Sequence, residues 1–382
     1  MRLIRIVIVY VTAGTGHRRA AEALAAAVHR RAPDAVISCV DLLDYTPRFL
    51  RRGYPGVYGW LVRHMPACWG FGYRLLDWAP IFTLIQPWRR LWNLLMARRF
   101  VNWLVAEQPD FVIATHFFPA DLFTDGKRTG WLQAKAIVVI TDLFPHRLWL
   151  GRSVDRFVAG SEKTKEVCVQ RGIPPERVRA CGIPVHERFR RASGSNAGRL
   201  HEFGLDASRQ TVLVTGGGIG LGPIKELVAA LIALERTRPS RLQLLVVCGE
   251  NATLYQQLSE LTRGAPMPMT LFGFVETMPE LMAASDLLVT KAGGMTVTEA
   301  MVVGLPIVFL GVLPGQEELN LHSTVASGAG VQARRPEEAA ALVRDLLDDP
   351  ARLSAMRARA AALGRPTAAD DIIQWVLSDG TA

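Results

Sequence analysis

The sequence is sparing in the features that most quickly fix a protein's class. Its five cysteines, Cys39, Cys68, Cys168, Cys181 and Cys248, are scattered and form no CxxC pair. That pattern argues against a zinc site or a disulfide scaffold and fits a reducing compartment. No apolar run reaches the roughly 18 residues of a membrane-spanning helix, so an integral membrane protein is not expected. There is no DxD triplet: Asp348-Asp349 and Asp370-Asp371 are pairs at helix ends rather than metal clusters. The two glycine-rich turns are incomplete as nucleotide fingerprints. Gly14-Thr-Gly-His17 lacks the third glycine of GxGxxG, and Gly216-Gly-Gly-Ile-Gly220 has no Lys-Ser/Thr after it.

What the chain does have is length, a normal core composition and a localised charge. Its 382 residues predict two or three domains, and 49% hydrophobic with 21% charged residues excludes wholesale disorder. The formal charge is +9, yet residues 46–104 alone hold nine arginines against one acid, Asp77, and carry +8. That window has no lysine and six of the nine tryptophans. Arginine interleaved with tryptophan suits a surface that meets anionic headgroups while its rings sit at the interface. The residues expected there are Arg52, Trp60, Arg63, Trp69, Trp88, Arg89, Arg90 and Trp92. Around 88–96, Trp88, Leu91, Trp92 and Leu95 share one helical side, and Arg89, Arg90 and Asn93 share the other. A core helix with snorkelling arginines is the competing reading. Nucleic acid is the competing partner for a basic patch, and the interleaved Leu-Trp-Leu-Leu-Met run fits it poorly.

The chain opens on an apolar run, Ile6–Val11, that leads into a glycine turn and an alanine-rich helix from about Arg18 to Ala32. This is a βα unit rather than a secretion signal, and it is expected to remain in the mature protein. Further buried strands are predicted at Val36–Val40, Phe111–Ala114, Ala136–Ile140 and Arg156–Val158. The pattern restarts with Val212–Val214, followed by Leu242–Cys248, Thr270–Phe272, Leu287–Val289 and Pro306–Leu310. Short apolar strands alternating with helices predict an α/β chain of two doubly wound, Rossmann-like domains with parallel sheets. The boundaries are set at 1–190, 205–365 and a final helix, 366–382, packing back on the first domain. Ala192–Gly198 reads as a linker, and Pro336, Pro350 and a Thr367–Asp370 capping box mark helix starts.

Each glycine turn would present backbone N–H groups and a helix N-terminus to an anion, although a turn without a ligand fits each one equally. Gly14 and Gly16 shape the first turn, and Gly217 and Gly218 the second. His17 sits at the mouth of the first, beyond a strand's carboxyl end, where doubly wound sheets bind ligands. A neutral imidazole there is suited to accepting a hydroxyl proton; the alternative is a histidine that only bonds to backbone. The densest cluster is Thr290–Ala300 with Pro314–Asn320. Lys291, Gly293, Gly294 and Thr296 form an anion cradle suited to a diphosphate, and Glu299, one turn on, suits ribose hydroxyls. Gln316, Glu317 and Asn320 gather carboxylate and amide groups on what reads as a loop after the Pro306–Leu310 strand, a set suited to sugar hydroxyls.

These motifs together resemble a GT-B glycosyltransferase of family 28, in the group of monogalactosyldiacylglycerol synthases and processive diacylglycerol glucosyltransferases. The resemblance covers nearly the whole chain. It rests on Gly14–Arg18, Thr141-Asp142 with His146–Trp149, Gly182-Ile-Pro184, Gly273-Phe-Val275, Thr290–Gly293 and Pro314–Glu318 with Asn320. The first turn departs from the three glycines common in the family, and Gly294-Met295 stands where plant members often have Pro-Gly.

The resemblance implies two domains facing a cleft, with acceptor and membrane binding in the first and UDP-sugar binding in the second. It implies His17 as general base, the backbone of Phe274 and Val275 as the uracil site, and Gly293, Gly294 and Thr296 as the diphosphate site. Glu299 would be the ribose ligand, and Gln316 and Glu317, with Asn320 beside them, would hold the hexose. His116, Asp142 and His146 either line the acceptor site or orient its loops. The expected reaction is inverting transfer from UDP-glucose, then UDP-galactose, to diacylglycerol, without a cofactor or obligatory metal. The expected place is the cytoplasmic face of the cell membrane, held peripherally, with no nucleic-acid partner. The alternatives are N-acetylhexosamine transfer to a polyprenyl-diphosphate lipid, a UDP-sugar epimerase, or a non-enzymatic binding protein.

Overall fold

The computed structural model describes residues 3–12, 14–192 and 203–378. The chain forms two compact units, one of Met1–His186 with Pro314–Gln316 and Thr367–Ala382, the other of Glu187–Leu313 and Glu317–Pro366. Each is built on a six-stranded, wholly parallel sheet. Most of the linker expected at Ala192–Gly198 lies outside the described residues.

In the first unit the strands are β1 (Arg5–Tyr10), β2 (Val36–Asp41), β3 (Phe111–Ala114), β4 (Lys135–Val139), β5 (Arg156–Ala159) and β6 (Val178–Ala180), in the order β2-β1-β3-β4-β5-β6. Side chains alternate across a strand, so β1 sends Val7 and Val9 to one face and Ile6 and Ile8 to the other. The Val7 face packs with Phe100, Leu104, Leu122 and Phe123. The Ile6 face packs with Leu24, Ala27 and Val28 of α1 (Gly16–Arg31). The chain's last helix joins that second layer: Ile372, Ile373 and Val376 are fully buried in it, and Arg30 reaches Asp370 at 3.0 Å.

The second unit has β7 (Gln210–Thr215), β8 (Leu242–Val247), β9 (Met269–Phe272), β10 (Leu287–Thr290), β11 (Ile307–Leu310) and β12 (Gly330–Ala333), ordered β12-β11-β10-β7-β8-β9. Winding runs outward from β7 in one direction and from β10 in the other, the arrangement of a doubly wound dinucleotide fold. One face packs under Leu227, Val228 and Leu231 of the helix Ile224–Thr237 and under Val343, Leu346 and Leu347 of the helix Pro336–Leu347. Between these two helices Arg344 meets Glu235 at 2.9 Å, both side chains almost wholly buried. Glu235 also accepts from the Ser240 hydroxyl at 2.9 Å, so its charge is satisfied on more than one side.

Two strands were missed, Val178–Ala180 and Gly330–Ala333. Both are short edge strands, and each is interrupted by a polar residue, Arg179 or Gln332, so neither forms an apolar run. Pro336 and Pro350 do open helices. The Thr367 capping box does not form: the hydroxyl donates to Asp371 at 2.8 Å, and Asp370 is engaged by Arg30. Removing one partner of the buried pair leaves the other charge uncompensated. Glu235→Ala is therefore expected to destabilise the second unit by ~3–5 kcal/mol, seen as a lower midpoint in urea unfolding.

Candidate functional site

In each unit the direction of winding reverses between two neighbouring strands, β1 and β3 in the first, β7 and β10 in the second. His17, the Gly217 turn and Lys291 lie at the carboxyl ends of those strands.

In the first unit, Gly14 adopts φ +84°, a left-handed turn that favours glycine, and α1 starts two residues later. This brings His17 against the end of β3. Its Nδ1 lies 2.7 Å from the Thr115 carbonyl oxygen and 3.0 Å from Thr141 Oγ1. A carbonyl only accepts, so Nδ1 carries the proton and Nε2 carries the lone pair. The ring lies edge-on to His116, 4.6 Å between centroids, and beside Trp149. Burial lowers the His17 pKa to about 4, partly opposed by the Thr115 bond, so the ring is neutral near pH 7.

His116 and His146 have different work. His116 caps the helix Phe117–Thr129, its Nδ1 accepting from Phe118 N at 3.0 Å. His146 caps the single turn Arg147–Trp149 through Nδ1, and its Nε2–H donates to the Tyr73 carbonyl at 2.9 Å. Both lone pairs are therefore occupied by backbone. Burial lowers both pKa values, that of His116 well below the ordinary imidazole range. Asp142 is buried close enough to Tyr73 to help burial raise that phenol's pKa.

The basic segment forms α2 (Arg48–His64), α3 (Pro66–Asp77) and α4 (Ala79–Met96). Its one acid, Asp77, receives Arg171 at 2.6 and 2.8 Å and the Arg147 N–H at 2.9 Å. Burial alone would raise the Asp77 pKa; these hydrogen bonds outweigh it and leave the value lowered. On α4, Trp88, Leu91, Trp92 and Leu95 are exposed, Trp88 at 76%. Trp60 is exposed too, as are the expected Arg52 and Arg63. Arg89 and Arg90, expected on the lipid-facing surface, instead turn inward. Arg89 meets Asp121 at 3.0 Å and Arg90 meets Asp125 at 3.2 Å, while Asn93 donates to Asp121 at 2.6 Å. Trp69 is likewise half-buried, against Tyr58 and Tyr73.

In the second unit the helix Gly294–Val303 begins at the end of β10, capped by Gly293 without a side-chain bond. Its first intrahelical bond is Val297 N to Gly293 O, so the amides of Gly294, Met295 and Thr296 form its positive end. Lys291 threads between two glycine turns. A Cβ on Gly217 would stand 3.5 Å from its Cε, and one on Gly293 would stand 3.0 Å from Nζ. Lys291 pairs with the buried Glu317, which also accepts from Leu313 N at 3.2 Å. A narrow crevice, lined by Thr215, Gly222, Thr290, Lys291 and Leu310, opens between β7 and β10. Phe274 is half-exposed beyond β9, with Val275 beside it, and Glu299 is buried one turn into the helix.

Three expectations change here. Gln316, Glu317 and Asn320 lie in a helix, Gln316–Ala326, and not on a loop; the Gln316 side chain is outside the described residues. Asn320 is fully buried, and its amide donates to the Ala292 carbonyl at 2.9 Å, so it braces the Lys291–Gly293 turn from beneath. The Gly217 N–H, expected to face an anion, donates to Thr215 Oγ1 at 3.2 Å; Gly218 lies next in the same turn, its carbonyl accepting from Glu250 N.

The profile of monogalactosyldiacylglycerol (MGDG) synthase matches residues 17–185, and that of the glycosyltransferase family 28 C-terminal domain matches residues 211–372. A processive diacylglycerol beta-glucosyltransferase of Bacillus cereus (strain AH187) is 32% identical over 277 residues, 72% of this chain and 69% of that one. The chain belongs to the MGDG synthase and diacylglycerol glucosyltransferase group of family 28. Among solved structures, MurG of Acinetobacter baumannii matches with TM-score 0.63 at 16% identity, over 98% of this chain and 99% of that one. A putative UDP-N-acetylglucosamine 2-epimerase from Listeria monocytogenes matches with TM-score 0.66 at 16% identity, over 100% and 97%. At such identities these structures establish the GT-B fold and leave the chemistry to the sequence relatives.

For this glycosyltransferase, sequence reasoning overlooked Thr115 and the pair Asp121 and Asp125. Thr115 acts through its carbonyl, which no side-chain pattern reveals. The two aspartates did leave a signal: carboxylates four apart in the otherwise apolar run Phe117–Gly126 demand buried cations.

The three lowered histidines also set an acid limit on stability. Their folded pKa values lie below the free value of about 6.5, so the unfolded chain binds more protons in that range. Stability from these groups is complete above pH 6.5 and is lost as pH falls toward the folded values, about 4 for His17. In thermal melts, His116→Asn, which keeps a capping acceptor, is expected to flatten the decline between pH 6.5 and 4. His116→Ala is expected to cost about 1 kcal/mol at neutral pH through the lost cap.

Proposed function

We propose that this family 28 enzyme transfers a hexose from a UDP-sugar, UDP-glucose first and UDP-galactose second, to the free hydroxyl of diacylglycerol with inversion. The product is a β-glycosyl diacylglycerol. The observation that carries the reading is the single available lone pair on His17 Nε2, in a chain whose quoted relative is named for diacylglycerol glucosylation. Nε2 takes the hydroxyl proton as that oxygen bonds to the anomeric carbon. The bond from that carbon to the diphosphate oxygen breaks, and its electron pair leaves with UDP. The amides of Gly294, Met295 and Thr296 and the Lys291 ammonium are suited to the charge that grows on the leaving group. The backbone at Phe274 and Val275, beyond β9, is the candidate uracil site, and Glu299 is the candidate ribose ligand. No metal is part of this reading. Polyprenyl-diphosphate acceptors and epimerisation are not favoured, because sequence kinship at 32% points to diacylglycerol.

The lipid acceptor places the reaction at a membrane surface, which we assign to the cytoplasmic face. No helix among the described residues is long and apolar enough to cross a membrane. The exposed Trp60, Trp88, Leu91, Trp92 and Leu95 are suited to interfacial insertion, with Arg52 and Arg63 outward for anionic headgroups. No nucleic-acid partner is part of this reading.

Mass spectrometry of liposomes containing diacylglycerol, incubated with the protein and a panel of UDP-sugars, should show a hexosyl-diacylglycerol. His17→Ala should lower its rate by about 10²–10⁴-fold while UDP binding persists, and EDTA should leave the rate unchanged. Donor binding without any lipid product would overturn the acceptor assignment. In vesicle sedimentation, Trp88→Ser with Trp92→Ser should release the protein from anionic vesicles without lowering its melting temperature. Arg89→Ala should instead lower the melting temperature, because it leaves Asp121 buried without its cation.

A further inference from the structure

The base in this reading needs something to hold its ring, and the residues that do so are not a carboxylate. His17 Nδ1 is met by the Thr115 carbonyl at 2.7 Å and by the Thr141 hydroxyl at 3.0 Å. The backbone around it is tied in the same place: Thr115 Oγ1 donates to the His17 carbonyl at 2.9 Å. Thr141 is itself buried at the end of β4, at 4% exposure.

We infer that Thr141 is a positioning residue for the transfer reaction, its hydroxyl oxygen sharing the Nδ1–H of His17 with the Thr115 carbonyl so that Nε2 is held as the proton acceptor. The inference rests on the function proposed for His17. Because Thr115 O can only accept, Nδ1 is the donor and Thr141 Oγ1 must accept from it, leaving the Thr141 hydrogen free to point elsewhere. The bonds to the His17 ring among the described residues come from uncharged groups. Arg18, next on the same helix, is paired with Glu22 at 2.7 Å. From the junction of β3 with the helix Phe117–Thr129 comes His116, with its Nδ1 occupied, and from the single turn Arg147–Trp149 comes Trp149. Asp142 adjoins Thr141 and lies near Tyr73. Among the described residues no carboxylate is bonded to the His17 ring. Two neutral acceptors orient the imidazole without stabilising an imidazolium as an aspartate would, in accord with its low pKa.

The test compares Thr141→Val, Thr141→Ser and Thr141→Asp in full-length protein, with melting temperature checked for each. Val, nearly isosteric, should lower kcat about 3–10-fold, the effect of one neutral hydrogen bond, with KM for the UDP-sugar unchanged. Ser should restore kcat. Asp should move the acid limb of the kcat/KM profile to higher pH by about a unit or more, since a carboxylate now faces Nδ1. A wild-type kcat in the Val variant, an unmoved profile in the Asp variant, or a Ser variant as slow as Val would overturn the proposal. The ¹⁵N resonances of His17 in the wild type supply a readout that needs no substrate. An Nδ1–H tautomer is expected, and an Nε2–H tautomer would sink the idea even if the glycosyltransfer reading stood. Failure of the wild type to make any glycolipid, with the Nδ1–H tautomer observed, would count against the function and not against the role of Thr141 in holding the ring.

Discussion

A parallel sheet whose winding reverses leaves a gap between the carboxyl ends of two adjacent strands, because the connections depart to opposite faces. Everything of chemical interest in this chain depends on that constraint, which is met twice. In the first unit it brings the end of β3 to His17; in the second it brings the glycine turn after β7 to Lys291 and the helix beyond β10. The two places are furnished differently. The first holds one imidazole by neutral acceptors. The second sets a helix N-terminus beside the Lys291–Glu317 ion pair. One suits a proton acceptor and the other a departing diphosphate.

The basic segment shows how a few buried charges decide the orientation of a whole surface. Asp121 and Asp125 lie on a helix that is otherwise part of the core, and their desolvation demands cations. Arg89 and Arg90 supply them, so the polar side of α4 faces the protein and its tryptophans face out. Asp77 does the converse just before α4 begins, where a lone acid in a basic stretch receives Arg171. Opposite charges on the two partners thus fix the segment, leaving the apolar side chains without protein to cover them.

Much of this was legible beforehand. Ten of the twelve strands among the described residues announce themselves as short apolar runs, and the glycines, His17 and the Lys291–Glu299 cluster stand out because their chemistry resides in side-chain type and spacing. What stayed hidden has a common cause: it depends on partners remote in sequence. The helical wheel of residues 88–96 separates the two faces correctly but cannot say which one is inside, since the deciding carboxylates lie some thirty residues on. His116 and His146 look like site residues by type, yet each cap is visible only once the backbone it serves has been traced. Asn320 reads as a sugar ligand until its amide is found on the Ala292 carbonyl.

The placement of the last helix bears on how the chain is made. Ile372, Ile373 and Val376 close the layer that covers α1 and the Ile6 face of the first sheet, yet they are translated after the whole of the second unit, which ends at Pro366. Domains ordinarily fold in the order of their synthesis. Here the unit begun first on the ribosome is finished last, waiting with part of its apolar face uncovered while the second, contained in an unbroken later stretch of chain apart from three residues, already has all its strands.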